Sequence, residues 1–493
     1  MTAERARTVS KNFVVLSATR VVIWASAFML MIFLPRYLGP VNYGRFYLGQ
    51  SVAGLFALLI DFGGNYSISK AVSRNHENVG HILADSLGIR AILWVVVFVL
   101  LIAYMNLVNY PQSEKVILLI FGISLLWSSA RSILGYCYSG FELMEYPSYA
   151  TMAETVFVSA VGIAALLAGV GPVGFSVITV LGGGLSFLVC VRFVPIIVSA
   201  IPAVDWQNSF RLLKKGIPYF LNTLFGVVYY RIDTVMLSLM APERVVGWYG
   251  ASYRFFDSLM FVPLIITGVL YPLMTRLWHN DPSAMNRTVQ KSLDLIMIAG
   301  IPVSVGIFAF SKDIIGFFYG LEGYGASVLL LKIFAVGNLL VYVDVIIGTV
   351  LLASDKQFQL SLNAFAAIFV NVGLNYFLIT RCQTEFGNGG IGSAIATVVT
   401  EFFVMTRMVF MLPKSVFESL HIGVQLKVLL AGGFMAISIW IIGRTSLIWI
   451  AQGTLASLLF VLSLFVLKTF TPADLAMVQN TIPPWILNRL RIK

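Results

Sequence analysis

Charged side chains placed deep inside apolar stretches are where this sequence could do chemistry. Arg20, Arg131, Arg231, Arg254 and Lys332 supply positive charge there, and Asp61, Glu154, Asp233, Asp257, Asp344 and Glu401 supply negative charge. A charge at the centre of a membrane helix costs at least about 2.5 kcal/mol on insertion scales, so each one needs a partner or a wet cavity. Two chemistries suit such a set: ion pairs that hold helices together, or sites that take an anionic cargo on the cations and a coupling ion on the acids. Arg20 and Asp61 both lie about 10 Å from the same end of their stretches by helical rise, so they can meet. Arg231 with Asp233, and Arg254 with Asp257, reach a similar depth in the opposite half, and Arg254 and Asp257 share a helix face at three-residue spacing. Lys332, Asp344 and Glu401 have no obvious neighbour in sequence. On the functional reading Arg20, Arg231, Arg254 and Lys332 line a route for anionic cargo, and Asp344 or Glu401 serves a proton or sodium ion. The acids outnumber the bases, so a cationic cavity requires the acids to face elsewhere. Asn363, Asn371 and Asn375 follow a four-residue rhythm and drift slowly around one helix face. Hydrogen bonds between helices and contacts to cargo hydroxyls both fit them, and Asn371 is counted with the cargo set.

The elements that must hold these groups are membrane helices. About fourteen stretches of roughly twenty apolar residues run from Phe13 to Phe470, the length a helix needs to cross a bilayer. They fall near 13–34, 44–68, 83–107, 115–137, 148–170, 173–198, 216–240, 246–272, 288–311, 324–353, 358–381, 389–412, 422–443 and 446–469. Hydrophobic residues make up 59% of the chain and charged residues 11%, far from the roughly 25% charged of a soluble domain. The fold class is therefore all-α and polytopic, with no room for a soluble catalytic domain. The first stretch follows Arg5, Arg7 and Lys11 but runs past twenty residues without a small-residue cleavage site, which favours an uncleaved span over a secretory signal. Cys137, Cys190 and Cys382 lack metal-ligand spacing, and His76, His81, His279 and His421 form no constellation with acids or a serine. No metal, cofactor or enzymatic activity is expected.

With the N-terminus in the cytoplasm, about 21 of the 33 Lys and Arg fall on the cytoplasmic side. The net charge of +11 is then mostly topology and contact with anionic lipid, not a nucleic-acid footprint. An even number of spans returns the C-terminus to the cytoplasm, where Pro483 to Arg491 make a short basic, amphipathic end expected on the inner leaflet. Pro263 and Pro302 fall inside spans and Pro218 near the start of one, as hinges or static kinks.

Two places in the chain recur after about 200 residues, as in a duplicated transporter. LGPVNYGRFYLGQS from Leu38 resembles MAPERVVGWYGASYR from Met240, with Pro40 answering Pro242 and Gly44 answering Gly247. VGFSVITV from Val173 resembles IGSAIATV from Ile391, with Gly174 answering Gly392 and Thr179 answering Thr397. Six spans separate the matched elements, so the repeat is parallel, with its axis along the membrane normal. It gives lobes over 1–200 and 201–413, and a final segment, 414–493, holding two more spans and the tail. Cargo should sit between the lobes near midplane, with access alternating as they rock.

Four stretches in this order resemble one family: LPRYLGPVNYGRF, Asp61 with Phe62 and Gly63, the run from Tyr230 to Pro263, and GGIGSAIATVVTE from Gly389 to Glu401. They are similar to the Wzx-type polysaccharide flippases of the multidrug/oligosaccharidyl-lipid/polysaccharide exporter superfamily, and the similarity covers nearly the whole chain. The resemblance implies two lobes arranged as a V around a cationic cavity. It implies a cargo of undecaprenyl-diphosphate oligosaccharide moved to the outer leaflet of the cell membrane for surface polysaccharide synthesis. Arg20 stands where such proteins commonly place a first-span arginine, while the acid-rich interior departs from a purely cationic lining. The alternatives are a multidrug/cation antiporter or a lipid II flippase of the same fold, and, from another class, a membrane polysaccharide polymerase. Such polymerases usually carry a large outer loop, and the outer loops here are short. No Walker sequence is present, which excludes the usual route for direct ATP drive.

Overall fold

In hydrocarbon a helix pairs every backbone N–H within its own segment, so long runs of Leu, Ile, Val, Phe and Ala take that form. A computed structural model describes the backbone of residues 3–445 and 447–470, and the side chains of these residues except 3–18, 65–67, 215, 218, 219, 221 and 222. The first half of the chain contains α1 (Ala3–Asp61), α2 (Gly64–Arg74), α3 (Val79–Leu107), α4 (Gln112–Gly140), α5 (Glu145–Leu167) and α6 (Pro172–Arg192). There follow α7 (Trp206–Met240), α8 (Glu243–Leu259), α9 (Phe261–Asn280), α10 (Pro282–Phe318), α11 (Leu321–Tyr324) and α12 (Ser327–Ala353). The last are α13 (Gln357–Phe386), α14 (Gly389–Met411), α15 (Lys414–Ser419), α16 (Gly423–Ile442) and α17 (Trp449–Val466). No strand occurs among the described residues. The basic end expected from Pro483 to Arg491 lies outside them.

Thirteen segments among the described residues are long and apolar enough to cross a membrane. The first, Thr19–Asp61, holds 43 residues, which is roughly 65 Å at helical rise and about twice the hydrocarbon thickness. Its helix is interrupted at Gly39, with φ 70° and ψ 168° beside Pro40. Only glycine adopts such a φ without cost, and this point separates the expected spans 13–34 and 44–68. The second of these ends earlier than expected, because Phe62 and Gly63 have φ of 41° and 67° and the chain restarts as the short α2. The expected span 246–272 is likewise two helices, α8 and α9. Pro263 is the third residue of α9, where its missing N–H breaks no helical bond, so it belongs to a helix start and not to a mid-span hinge. Pro302, by contrast, lies within α10.

Packing divides the chain into two units that do not follow chain order. One comprises Met1–Arg254, Ile315–Leu330 and Ala364–Thr397, and the other Phe255–Ile314, Leu331–Asn363 and Val398–Lys493. The first unit has a core of Val72, Leu83, Ile133, Leu134, Cys137 and Tyr138. The second packs Met274, Val289, Ile296, Tyr342, Ile346 and Val350 together. Val269, Phe410 and Val466 are more than 70% exposed, a distribution that suits lipid surroundings.

The two loops matched in sequence rest on one another within the first unit. A Cβ at Gly44 would overlap the Glu243 carbonyl oxygen, and one at Gly247 would overlap that of Pro40. Each matched glycine thus receives the backbone of the other loop, the reciprocal pattern of a two-fold contact. Arg45 adds ion pairs to Glu114 at 2.9 Å and to Glu243 at 3.7 Å. The Tyr110 and Ser238 hydroxyls lie 2.8 Å apart beside them.

Candidate functional site

Asp233 is the most completely buried of the span carboxylates singled out by sequence, and four helices converge on it. It follows Arg231 by two residues on α7, a spacing that sends the two side chains to different faces, so the expected neighbours diverge. Arg231 is half-buried, whereas Asp233 is 3% exposed. Asn375 on α13 donates its Nδ2 to Asp233 Oδ1 at 2.8 Å. Thr397 on α14 donates to Oδ2 at 2.7 Å, and the Tyr249 hydroxyl on α8 donates to the same oxygen at 3.1 Å. Asn375 Nδ2 also reaches Asn371 Oδ1 at 2.9 Å. Asn371, Asn375, Tyr249, Ser393 and Thr397 are all buried.

This arrangement leaves its charge without a counter-charge. Among the described residues no basic side chain forms an ion pair with Asp233. Neutral donors stabilise a carboxylate, but desolvating an anion costs several kcal/mol, about what an opposite charge would have to offset. Spare polar capacity remains beside it, since Asn375 Oδ1 is buried with no hydrogen-bond partner among the described residues. Turning over the Asn375 amide would add Oδ1 to the oxygens of Asp233, Asn371 and Thr397. Oxygen-only donors are the chemistry of hard cations and of protons. No cluster of three His, Cys, Asp or Glu occurs among the described residues.

The span acid in the first half is solved differently. Asp61 Oδ1 lies 2.7 Å from Arg90 Nη1, and Arg90 donates further to the Ser129 carbonyl at 3.0 Å and to Ser132 Oγ at 3.0 Å. Asp61 was expected near Arg20, but its ion pair is with Arg90, and Arg20 is exposed. Arg90 went unnoticed in sequence although it stands amid the apolar stretch 83–107, a signal of the same kind as Arg20.

The remaining candidates are placed as follows. Arg254 sits among Tyr43, Tyr47 and Tyr319 and donates to the Tyr43 hydroxyl at 3.5 Å. Asp257, three residues on, is exposed. Lys332 is half-buried, with its Nζ over the Phe308 ring at 5.5 Å from the centroid. Asp344 on α12 and Glu401 on α14 are buried side by side in the second unit, so each is the other's nearest acid. Arg131 donates to Thr151 at 3.4 Å, and Glu154 is half-buried on the same helix as Thr151. Asn363 donates to the Val404 carbonyl at 3.2 Å, the hydrogen bond between helices that its position allowed. Tyr249 is the member of the Asp233 network that sequence reasoning missed. Its signal was present: it follows Gly247 in the recurring loop.

Comparison with known proteins adds the following. Residues 9–278 match the family described as Polysaccharide biosynthesis protein. A protein of Haloferax volcanii described as probable low-salt glycan biosynthesis flippase Agl15 is 22% identical over 376 residues, covering 76% of this chain and 77% of that protein. The structure of lipid II flippase MurJ in an inward closed conformation superposes with a TM-score of 0.72 at 15% identity, over 92% of this chain and 98% of that one. An inward-facing multidrug resistance MATE family transporter of the MOP superfamily gives a TM-score of 0.61 at 15% identity, over 79% of this chain and 94% of that one.

Proposed function

The chain belongs to the polysaccharide biosynthesis protein family, and we propose that it is a flippase for lipid-linked oligosaccharide, driven by a monovalent cation that binds at Asp233. The cargo is an undecaprenyl-diphosphate oligosaccharide carried from the cytoplasmic to the outer leaflet of the cell membrane. Both termini lie in the cytoplasm, as the distribution of Lys and Arg favours. The lobes span 1–200 and 201–413, a division supported by the reciprocal seating of Gly44 and Gly247, and 414–493 is an appendage.

Asp233 is the observation that carries the reading. A carboxylate buried among neutral oxygens, with no basic partner among the described residues, is most stable when a sodium ion or a proton supplies the missing charge. That ion would draw α7, α8, α13 and α14 together, and its departure would loosen them. Coupling follows if the tightened and loosened forms differ in affinity for cargo. We place Asn371 with this ion set, in preference to the cargo set. For the diphosphate, Arg20, Arg231, Arg254 and Lys332 are the candidates, since none of them joins an ion pair among the described residues, whereas Arg45, Arg90 and Arg381 do. A cation in a span without an acid is available to an anionic cargo through charge-assisted hydrogen bonds. Asp344 and Glu401 remain a second place where a proton could be held.

Transbilayer movement of a defined undecaprenyl-diphosphate oligosaccharide in proteoliposomes tests this reading. Arg231→Ala and Arg254→Ala should each slow movement at least tenfold, the loss expected for one charged hydrogen bond of about 1.5 kcal/mol or more. Unchanged movement in both would remove these residues from the cargo site. Absence of movement in the wild type, with export of a cationic drug instead, would replace the reading with that of an antiporter.

A further inference from the structure

α7 opens with a segment, Trp206–Ile217, that carries Arg211, Lys214 and Lys215 ahead of the apolar stretch Thr223–Met240. This segment has an exposed face that the transport reading does not use. Trp206, Phe210 and Ile217 are 49%, 58% and 41% exposed. Spaced by four and then seven residues, they share one face of the helix. Lys214 stands on the same face and Arg211 beside it, both exposed. The opposite side, with Ser209, Leu212, Leu213 and Gly216, turns into the unit, where Leu212 and Leu213 line a small cavity with Ile60, Ile68 and Ile89.

The segment is fixed in place. Asp205 caps it by accepting from the Gln207 and Asn208 N–H groups at 2.9 and 3.2 Å. Asp85, fully buried on α3, accepts from the Asp205 N–H at 2.7 Å and from the Asn208 side-chain amide. At its far end a Cβ on Gly63 would overlap the Gly216 carbonyl, and the Phe62 and Phe220 rings stack at 4.4 Å. With the helix held by α2 and α3, the exposed stripe cannot turn inward. α2 packs against it and adds the exposed Lys70 and Arg74. The acids of these elements are accounted for: Asp205 and Asp85 are engaged as described, and Glu77 is exposed in the turn at His76–Asn78. None of Lys70, Arg74, Arg211 and Lys214 joins an ion pair among the described residues.

We propose that Trp206–Ile217 is an interfacial helix that docks on acidic phospholipid of the leaflet at this end of the molecule. Trp206, Phe210 and Ile217 enter the boundary between headgroups and acyl chains, and Arg211, Lys214, Lys70 and Arg74 hold lipid phosphates. Charge complementarity selects the partner: four cations with no ion pair among the described residues, beside three large apolar side chains, match an anionic lipid surface. The long stems of Lys and Arg let the charges reach phosphate while their carbons stay with the apolar stripe. This inference does not depend on the identity of the cargo.

A spin label at Phe210→Cys, with Cys137, Cys190 and Cys382 replaced by alanine, reads the environment of the stripe in the full-length protein in lipid nanodiscs. Collision with oxygen should dominate over collision with a water-soluble nickel chelate, and the reverse should hold for Glu77→Cys. Nickel access at 210 equal to that at 77, or shielding from both reagents as beneath a second protein, would overturn the proposal. Independently, the thermal midpoint of the wild type should rise when phosphatidylglycerol replaces part of the phosphatidylcholine. Arg211→Gln with Lys214→Gln should lose most of that rise, each charge removed lowering the preference for anionic lipid about fivefold. An equal rise in this double variant would show that these side chains do not hold the lipid.

Discussion

Asp61 and Asp233 are both aspartates in helical spans of the first packing unit, yet their surroundings answer the same electrostatic problem in opposite ways. Asp61 has Arg90 at 2.7 Å and keeps 29% of its side chain exposed. Its charge is matched by a residue of the protein. Asp233 is buried, and its partners Asn375, Thr397 and Tyr249 carry no charge. The difference teaches where a movable ion could act: on the proposed reading, only the second acid has a charge left for a cation from outside to balance. The two stretches matched in sequence are not chemically equal. Thr397 reaches Asp233 Oδ2 at 2.7 Å as well as the Ser393 carbonyl of its own helix at 3.0 Å, whereas Thr179, matched to it in sequence, donates to the Phe175 carbonyl at 3.0 Å.

The largest effect should come from breaking the complete pair. Arg90→Ala leaves Asp61 without its counter-charge and should destabilise the protein by about 3 kcal/mol, the low end for a broken buried pair because Asp61 keeps some solvent. Unfolding in mixed detergent micelles measures this, and Arg90→Met combined with Asp61→Leu should recover most of the loss. A cost below about 0.5 kcal/mol for Arg90→Ala, the level of an exposed ion pair, would place Asp61 in a far wetter site than described.

Next in size is Asp233→Asn, which removes the charge that the ion would answer. Cargo movement should lose its acceleration by the ion, about 5-fold to 150-fold for a typical coupling energy, while stability in ion-free buffer holds or rises. A smaller change sharpens the contrast between the halves. Asn375→Ala or Thr397→Val should raise the ion concentration for half-maximal rate about tenfold each, one lost hydrogen-bonding group being worth about 1.4 kcal/mol. Thr179→Val should leave that concentration unchanged, and an equal shift there would erase the asymmetry.

The smallest effect concerns an acid in water, the reference for both others. Asp281, between α9 and α10, accepts from the Ala284 N–H at 2.9 Å and the Ser283 hydroxyl at 2.7 Å. These bonds hold its carboxyl below the usual Asp range. Because the folded form binds its proton less readily than the unfolded chain, the contribution is whole above the ordinary Asp value of about 3.9 and fades as pH falls through the lowered one. Asp281→Ala should therefore lower the thermal midpoint slightly at pH 7 and leave it nearly unchanged near pH 2.

Much of the fold was legible because membrane helices announce themselves by length and apolarity, which is why the spans from 83–107 onward fall on helices, with 246–272 divided between α8 and α9. The boundary near Asp61 was not, since Phe62 and Gly63 interrupt the helix without interrupting the apolar pattern enough to show it. Depth along a helix was also readable, and it put Arg20 beside Asp61. Azimuth and helix neighbours were not, and they decided that Arg90 takes Asp61. At the Asp233 site the parts were visible separately, Asn371 and Asn375 by their rhythm and Thr397 by its place in a repeat. Nothing in one dimension says that α7, α8, α13 and α14 meet.

Proteoliposomes carrying an imposed sodium gradient, and in a separate arm an imposed proton gradient, measure the central claim most directly. Wild-type protein should move undecaprenyl-diphosphate oligosaccharide faster with one of the two gradients than without, and Asp233→Asn should move it at a single rate with or without that gradient. Equal gradient dependence in the wild type and in Asp233→Asn would contradict the assignment of the coupling ion to this carboxylate.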